Sequence, residues 1–308
     1  MIRTGLAYWV CPLCKHCQKV NIADIATDFQ VAQQHYYGDT PTILQDRPSI
    51  VDLEILAERK RLVGRFIRPG GRVIEVGPGS GYFAEWLITR GYEPVLYEYS
   101  DTLASQLRVK LGVEVETGSF ESQDFLTQRV QACAFFSFHV IEHVIDPLRH
   151  LQAGFEAVET GGYGFVATPN ASSWQQRFFQ TLSPNFDEAH LRVFSARSLG
   201  SLCERAGWQV VYIATPEYTS GWLRIFTKIL RKIRGEDVTA TPGKYAVVAS
   251  SKFETIYRAV RGVTAPLRYL QRRLNGGNEL FVVLYKSASS SAIESSGTID
   301  GASLEAAS

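Results

Sequence analysis

The sequence predicts an α/β protein built on a doubly wound, largely parallel sheet, and three observations predict it. Residues 72 to 82 read Arg-Val-Ile-Glu-Val-Gly-Pro-Gly-Ser-Gly-Tyr: a β-branched run, a glycine turn, and the first residue of a helical pattern. Strand, glycine turn, helix is how a βαβ unit opens. Ala132 to Phe138 is a second continuous apolar run, and it empties into titratable residues. Runs without polar alternation mark strands buried on both faces. Between and beyond these runs, apolar segments alternate with helical patterns as far as Ala214. In open sheets of this kind ligands sit outside the carboxyl ends of the strands, at the point where strand order reverses.

The elements follow in order. From Ile50 to Ile67, apolar residues recur at helical spacing (Leu53, Leu56, Leu62, Val63, Phe66), and Pro69-Gly70-Gly71 stops the helix before strand one. Pro94 to Tyr99 reads as strand two. Ser100-Asp101 caps a helix with Leu103, Leu107 and Leu111 on one face. Val113 to Val115 is a short third strand, Ala132 to Phe138 the fourth and Gly164 to Ala167 the fifth. Ser195 caps a helix ending at Ala206-Gly207, and Trp208 to Ile213 is the sixth. Glu279 to Tyr285 closes the sheet as an antiparallel strand.

Composition narrows the classes. The chain has 308 residues, 45% hydrophobic, with a formal net charge of +1. That length suits one large α/β domain with additions. Near-neutral charge gives no field that favours nucleic acid, and no Asn/Asp-Pro-Pro-Tyr base-flipping motif is present. No run of about 18 uncharged apolar residues exists, and the first ten residues do not make a secretory signal. A cytoplasmic location, with membrane association through a basic segment, is the expectation. Five cysteines do not form a disulfide framework. Three of them, Cys11, Cys14 and Cys17, cluster around His16. They read as a reduced cluster on a leader, with zinc as the alternative and His16 or His35 as a fourth ligand.

The glycine turn carries the chemistry. Gly77-Pro78-Gly79-Ser80-Gly81 is one residue tighter than the G-x-G-x-x-G dinucleotide fingerprint, which disfavours an NAD enzyme. Glu75 stands just before it. A carboxylate there repels a pyrophosphate but suits a cofactor bearing an amino group, which points to S-adenosylmethionine. The second strand ends in Glu98, placed to accept hydrogen bonds from ribose hydroxyls. On these residues the sequence resembles the class I S-adenosylmethionine-dependent methyltransferases. The resemblance implies a seven-stranded sheet of order 3-2-1-4-5-7-6. It also implies cofactor contacts from Glu75, Gly77, Pro78, Gly79, Gly81, Tyr82, Glu98 and Tyr99. Ser119 and Phe120 fall where relatives hold an acidic residue on the adenine, so backbone and ring contacts are expected there.

The fourth strand delivers His139, Glu142 and His143, with Asp146-Pro147 following. At i, i+3 and i+4 these three share one face if the loop turns helical. The run resembles a segment of the ubiquinone-type O-methyltransferases, in which two glutamates and a histidine are implicated in divalent metal binding. His139 replaces the first of those glutamates, so no metal is assigned. His139 also borders the expected cofactor, and His139, Glu142 and His143 are candidates for a proton acceptor, for orienting substrate, or for bracing the loop. His190, in His-x-x-x-Phe-Ser, resembles a histidine that borders the substrate cavity in this group and is a further candidate base. Asn170, after strand five, either contacts substrate or caps a turn. Tyr36 and Tyr37 are candidate lid residues.

Four segments result: a leader (1–49), a methyltransferase core (50–216 with 279–286), a basic helical insertion (217–278) and a disordered tail (287–308). In the insertion, Trp222, Phe226, Ile229, Leu230 and Ile233 share one helical face. Phe253, Ile256, Tyr257, Val260, Val263, Leu267 and Leu270 share another, with arginines opposite. Such helices form a cap over a pocket or lie on an anionic membrane. The reading is methyl transfer from S-adenosylmethionine, most simply to oxygen, on a small or lipid- or glycan-linked acceptor. The rival is a catalytically silent protein of the same fold that binds a membrane or partner through its insertion.

Overall fold

The computed structural model describes residues 2–3, 7–20, 44, 47–122, 131–179, 182–183, 185–186, 190–235 and 251–288. His35, Tyr36, Tyr37 and the tail from residue 289 lie outside the described residues. Strands β4 (Gly71–Val76), β5 (Tyr92–Glu98), β6 (Val115–Thr117), β7 (Ala132–Phe138), β8 (Val158–Pro169), β10 (Gln209–Ala214) and β11 (Glu279–Tyr285) form one seven-stranded sheet. Its order is β10-β11-β8-β7-β4-β5-β6, which read from the other edge is the expected 3-2-1-4-5-7-6. β11 pairs antiparallel with both β8 and β10, while the pairs among β4 to β8 are parallel. The third strand begins two residues later than the sequence suggests, and the fifth is longer at both ends.

Helices α1 (Ile50–Val63), α2 (Tyr82–Thr89), α3 (Asp101–Leu111), α4 (Pro147–Ala157), α5 (Trp174–Phe179) and α6 (Ala196–Arg205) accompany the sheet. Local chemistry sets their starts. Ser49 and Asp52 form a reciprocal capping box at α1. Ser100 accepts from the Leu103 amide at α3, and Asp146 accepts from the amides of Leu148 and Arg149 at α4, with Pro147 in the first turn. On the sheet, Phe135, Phe136, Phe165 and Phe281 are fully buried, and the Trp208 indole donates to the Leu151 carbonyl at 2.9 Å. Continuous apolar strands thus do what two-sided burial demands.

A second, four-stranded sheet joins β1 (Ile2–Arg3), β2 (Ala7–Val10) and β3 (Cys17–Lys19) to β9 (Arg192–Val193). Cys11 to His16 form the turn of this hairpin, where Cys11 N–H donates to the His16 carbonyl and Lys15 N–H to the Cys11 carbonyl. All five cysteines are free thiols. The hairpin has a consequence for the site, because the Tyr8 hydroxyl donates to the His190 carbonyl at 2.8 Å.

The insertion contains α7 (Thr219–Ile233) and α8 (Ser251–Arg273). Here the structure corrects the sequence. The inward side chains of α8 are Tyr257, Thr264, Arg268 and Gln271, while Ile256, Val263, Leu267 and Leu270 are exposed. The reason lies on α1. Glu54 accepts from Arg268 (2.9 Å), from the amide and hydroxyl of Thr219 (3.1 Å each) and from the Tyr257 hydroxyl. A carboxylate that can only accept draws the donor-bearing flank of α8 inward. On α7, Trp222 and Ile225 are buried, and Phe226, Leu230 and Ile233 are not.

Candidate functional site

The carboxyl ends of β4, β5 and β7 open onto a cavity of about 360 Å³. Its walls include Gly77, Gly79, Glu98, Tyr99, Ser119 and Phe120, with His139, Val140 and His143 opposite. The loop after β4 needs its glycines. Gly77 has φ +65°, and a Cβ there would lie 2.6 Å from Val140 Cγ2. Gly79 has φ +56°, and a Cβ would meet nothing within 4 Å, so bare backbone faces open space. Pro78 and Tyr82 do not line the cavity. Pro78 supplies a carbonyl to the Gly81 amide, and the Tyr82 ring lies under the Lys110 ammonium, 4.4 Å from its centroid. Both were expected at the cofactor. Glu75 and Gly81, expected there too, likewise lie outside its lining.

Two carboxylates flank the loop. Glu75 is buried within β4, and its Oε2 has no hydrogen-bond partner. Burial pushes its carboxyl up to about 8, against the pull of the nearby Arg59 guanidinium. Glu98 is also raised by burial, although its Oε1 accepts from the Ser100 amide at 3.0 Å.

Across the crevice, His139 adopts the left-handed region at φ +58°. A non-glycine residue there is strained and persists only where surroundings over-determine it. Three contacts do so. Its amide donates to the Ala167 carbonyl (2.8 Å), Nδ1 meets Glu142 Oε1 (3.1 Å) and Nε2 meets Glu279 Oε2 (2.6 Å). Burial opposes a charged ring, but the hydrogen bonds and charges of Glu142 and Glu279 outweigh it and raise His139 to about 9. Burial likewise opposes the Glu142 anion, yet His139 brings that carboxyl down to about 2. With both nitrogens engaged and the ring charged at neutral pH, His139 is unsuited to accept a proton. It is a cationic brace between two carboxylates.

Glu142 also accepts from the Thr168 hydroxyl at 3.0 Å. His143 lies beside His190, ring centroids 4.9 Å apart. One atom each from Glu142, His143 and His190 falls within 4.8 Å of the others. His190 Nδ1 is 2.9 Å from the Asn185 carbonyl, which can only accept, so Nδ1 carries the proton and the lone pair of the neutral ring sits on Nε2. Asn170 is buried and works structurally. Its side chain donates to the Gly277 carbonyl and accepts from the Ser172 amide.

Several site groups escaped the sequence. Glu279 comes from the far end of the chain and is held by the Tyr218 hydroxyl at 2.8 Å. Arg59, on α1, places its guanidinium 4.5 Å from the Phe138 ring centroid with Nε buried and unpartnered. Glu121, one residue past Phe120, is an acid on the cavity wall. It bonds the Ser119 hydroxyl (2.5 Å) and His150 Nδ1 (2.7 Å), and His150 Nε2 meets the Ser137 hydroxyl (2.9 Å). Burial raises the Glu121 carboxyl, but His150 and Ser119 outweigh this and bring it to about 2. An acid one residue past Phe120 was the available signal; its histidine partner was not legible.

A seven-stranded sheet of this order, with a glycine loop and an acidic strand end facing one crevice, defines the class I methyltransferase fold. Residues 49–213 match a family model described as a methyltransferase domain, which is more than half of the chain, and the chain belongs to that family. It is a methyltransferase enzyme, with S-adenosylmethionine as its cofactor. No protein of curated function matches its sequence. Among solved structures it is similar to the Burkholderia thailandensis 1,6-didemethyltoxoflavin-N1-methyltransferase, at 12% identity and TM-score 0.50, covering 92% of this chain and 95% of that one. It is also similar to a SAM-dependent methyltransferase from Archaeoglobus fulgidus, at 18% identity and TM-score 0.49, covering 75% and 93%. At 12% identity the likeness to the Burkholderia thailandensis enzyme is one of fold. The residues present fit the cofactor: an orphaned buried carboxylate oxygen at Glu75, open space against Gly79 and an acid at Glu98.

Proposed function

We propose that this enzyme methylates a hydroxyl oxygen on a small or carrier-linked metabolite, with His190 as the proton acceptor. The observation that carries the reading is the fixed tautomer of His190 beside His143 and the ionised Glu142. The likeness of residues 139 to 147 to the ubiquinone-type O-methyltransferases supports oxygen as the acceptor atom. When bound, S-adenosylmethionine supplies a methyl group on a positively charged sulfur. Glu98 accepts from its ribose hydroxyls and Glu75 from its amino group. Arg59, with its unpartnered Nε, takes the carboxylate. Opposite, Glu142 and His143 orient the acceptor hydroxyl. His190 Nε2 would take the proton of the acceptor hydroxyl as its oxygen receives the methyl group.

The test is methyl transfer from labelled S-adenosylmethionine to matched hydroxyl and amine acceptors. His190→Gln is expected to lower kcat by about 10² to 10⁴, the usual worth of a general base, with cofactor affinity unchanged. Preferred transfer to amines, or full activity in His190→Gln, would overturn the reading. The same cluster also supports a second reading, because two imidazoles and a carboxylate suit a divalent transition metal. Loss of turnover on chelation and its return with Zn²⁺ or Mn²⁺ would put a Lewis acid in place of the base.

A further inference from the structure

The insertion is rooted at the site. α7 begins one residue after Tyr218, which holds Glu279, and the chain returns from α8 to Glu279 itself. Yet α8 turns its apolar side away from the protein. Ile256, Val260, Val263, Leu267, Leu270 and Leu274 recur at alternating spacings of four and three residues. They therefore form one stripe, roughly 27 Å long at the helical rise. Val263 is 82% exposed and Leu274 58%. α7 adds Phe226, Leu230 and Ile233, the last 76% exposed. A helix that packs through polar side chains and leaves a full-length apolar stripe outside is not explained by the monomer's own core.

Charge decides the occupant. Glu254 is the only acidic residue within either helix, against Arg224, Lys228, Arg231 and Lys232 on α7 and Lys252, Arg258, Arg261, Arg268, Arg272 and Arg273 on α8. Lys252 and Arg273 flank the stripe, and both are exposed. A second copy of this chain docked on the stripe would bring Lys252 and Arg273 of each hairpin against a helix whose one acid, Glu254, already pairs with Arg258. An anionic lipid surface would take the stripe among its acyl chains and the cations among its headgroups. On the far side of α8, Arg258, Arg261, Arg268 and Arg272 pair with Glu254, Glu54 and Glu58, so Lys252 and Arg273 carry the attraction beside the stripe. None of the described helices is long and apolar enough to cross a bilayer.

We propose that the α7–α8 hairpin is a peripheral docking surface that lies in the interface of an anionic membrane, with the stripe from Ile256 to Leu274 as its buried edge. The inference does not depend on the acceptor atom or on the role of His190. It is tested by co-sedimentation of the full chain with vesicles of phosphatidylcholine alone and of phosphatidylcholine mixed with phosphatidylglycerol. The expected result is binding to the mixed vesicles that weakens as salt rises, with little binding to phosphatidylcholine alone. Val263→Asp with Leu270→Asp should weaken it at least about ten-fold, as loss of buried apolar area predicts. Lys252→Gln and Arg273→Gln should each weaken it about five-fold. Unchanged binding of S-adenosylhomocysteine by these variants verifies the fold. Absence of vesicle binding at low salt would overturn the proposal. So would vesicle binding indifferent to these substitutions, or a dimer in sedimentation velocity that Val263→Asp dissolves.

Discussion

Glu75 and Glu142 stand on opposite sides of one crevice, both inaccessible to solvent, and they titrate in opposite directions. Glu75 rises to about 8 because burial is opposed only by the field of Arg59, while one of its oxygens has no partner. Glu142 falls to about 2 because His139 and the neighbouring histidines more than offset the same burial. Burial alone does not set a carboxylate's state; the partners supplied with it do. One half of the crevice is complete as folded. The other is built around a buried carboxyl that folding holds protonated near neutral pH and that a cationic ligand would ionise.

Three substitutions or titrations would break or sharpen this contrast. The largest effect belongs to His139→Ala, which leaves Glu142 and Glu279 facing each other without their shared cation. The His139 ring is 40% exposed but both carboxylates are buried, so its loss strands two buried anions, read as a fall in Tm by calorimetry. In the wild type the stabilisation from His139 is fully present below its ordinary value of 6.5 and is lost as pH rises through about 9. A variant whose Tm deficit stays constant across that range would contradict the ion-pair account.

Glu75→Gln should act the other way on stability. The folded carboxyl titrates near 8 and the unfolded one near 4.5, so wild-type stability without cofactor falls across that interval. The glutamine variant lacks this loss, and its advantage in denaturant titrations should grow from acid pH to a plateau of a few kcal/mol above 8. The same variant should lose at least about 100-fold in S-adenosylhomocysteine affinity, as expected when a buried charge partner is removed.

The smallest effect is on the wild type. Because the cofactor's ammonium needs Glu75 ionised, affinity for S-adenosylhomocysteine should tighten by up to about ten-fold per pH unit between roughly 6 and 7.5. Calorimetry in buffers of different ionisation enthalpy should show proton release on binding. A flat profile would mean that Glu75 is already ionised and that the contrast with Glu142 is false.

Sequence and structure agree where the physics is local. The buried strands and the loop at Gly77 and Gly79 could be read from the chain because two-sided burial and positive φ restrict residue types over a few positions, whereas the order of the sheet came from the family resemblance. The partners of His139 could not. Glu279 is 140 positions away, Arg59 sits on a helix whose apolar spacing drew the eye, and no pattern announces a left-handed histidine. The insertion shows a different limit. Periodicity identified two faces on α8 but not which one faces the protein, since that choice was made by Glu54 on a distant helix. The subgroup likeness at residues 139 to 147 implied a row of titratable groups but not that His139 lies between Glu142 and Glu279.

The antiparallel strand β11 has a consequence for biosynthesis. It inserts between β8 and β10 and carries Glu279 to His139, so a chain emerging from the ribosome has β4, β5, β7 and β8 before it has the group that completes the cluster. Until then, His139 lacks one carboxylate and β8 lacks its outer neighbour, an open sheet edge of the kind that invites wrong pairing. Completion of the cluster around His139 is therefore tied to the last described strand, and a nascent chain stalled before Glu279 would hold the glycine loop and Glu98 without the second carboxylate on His139.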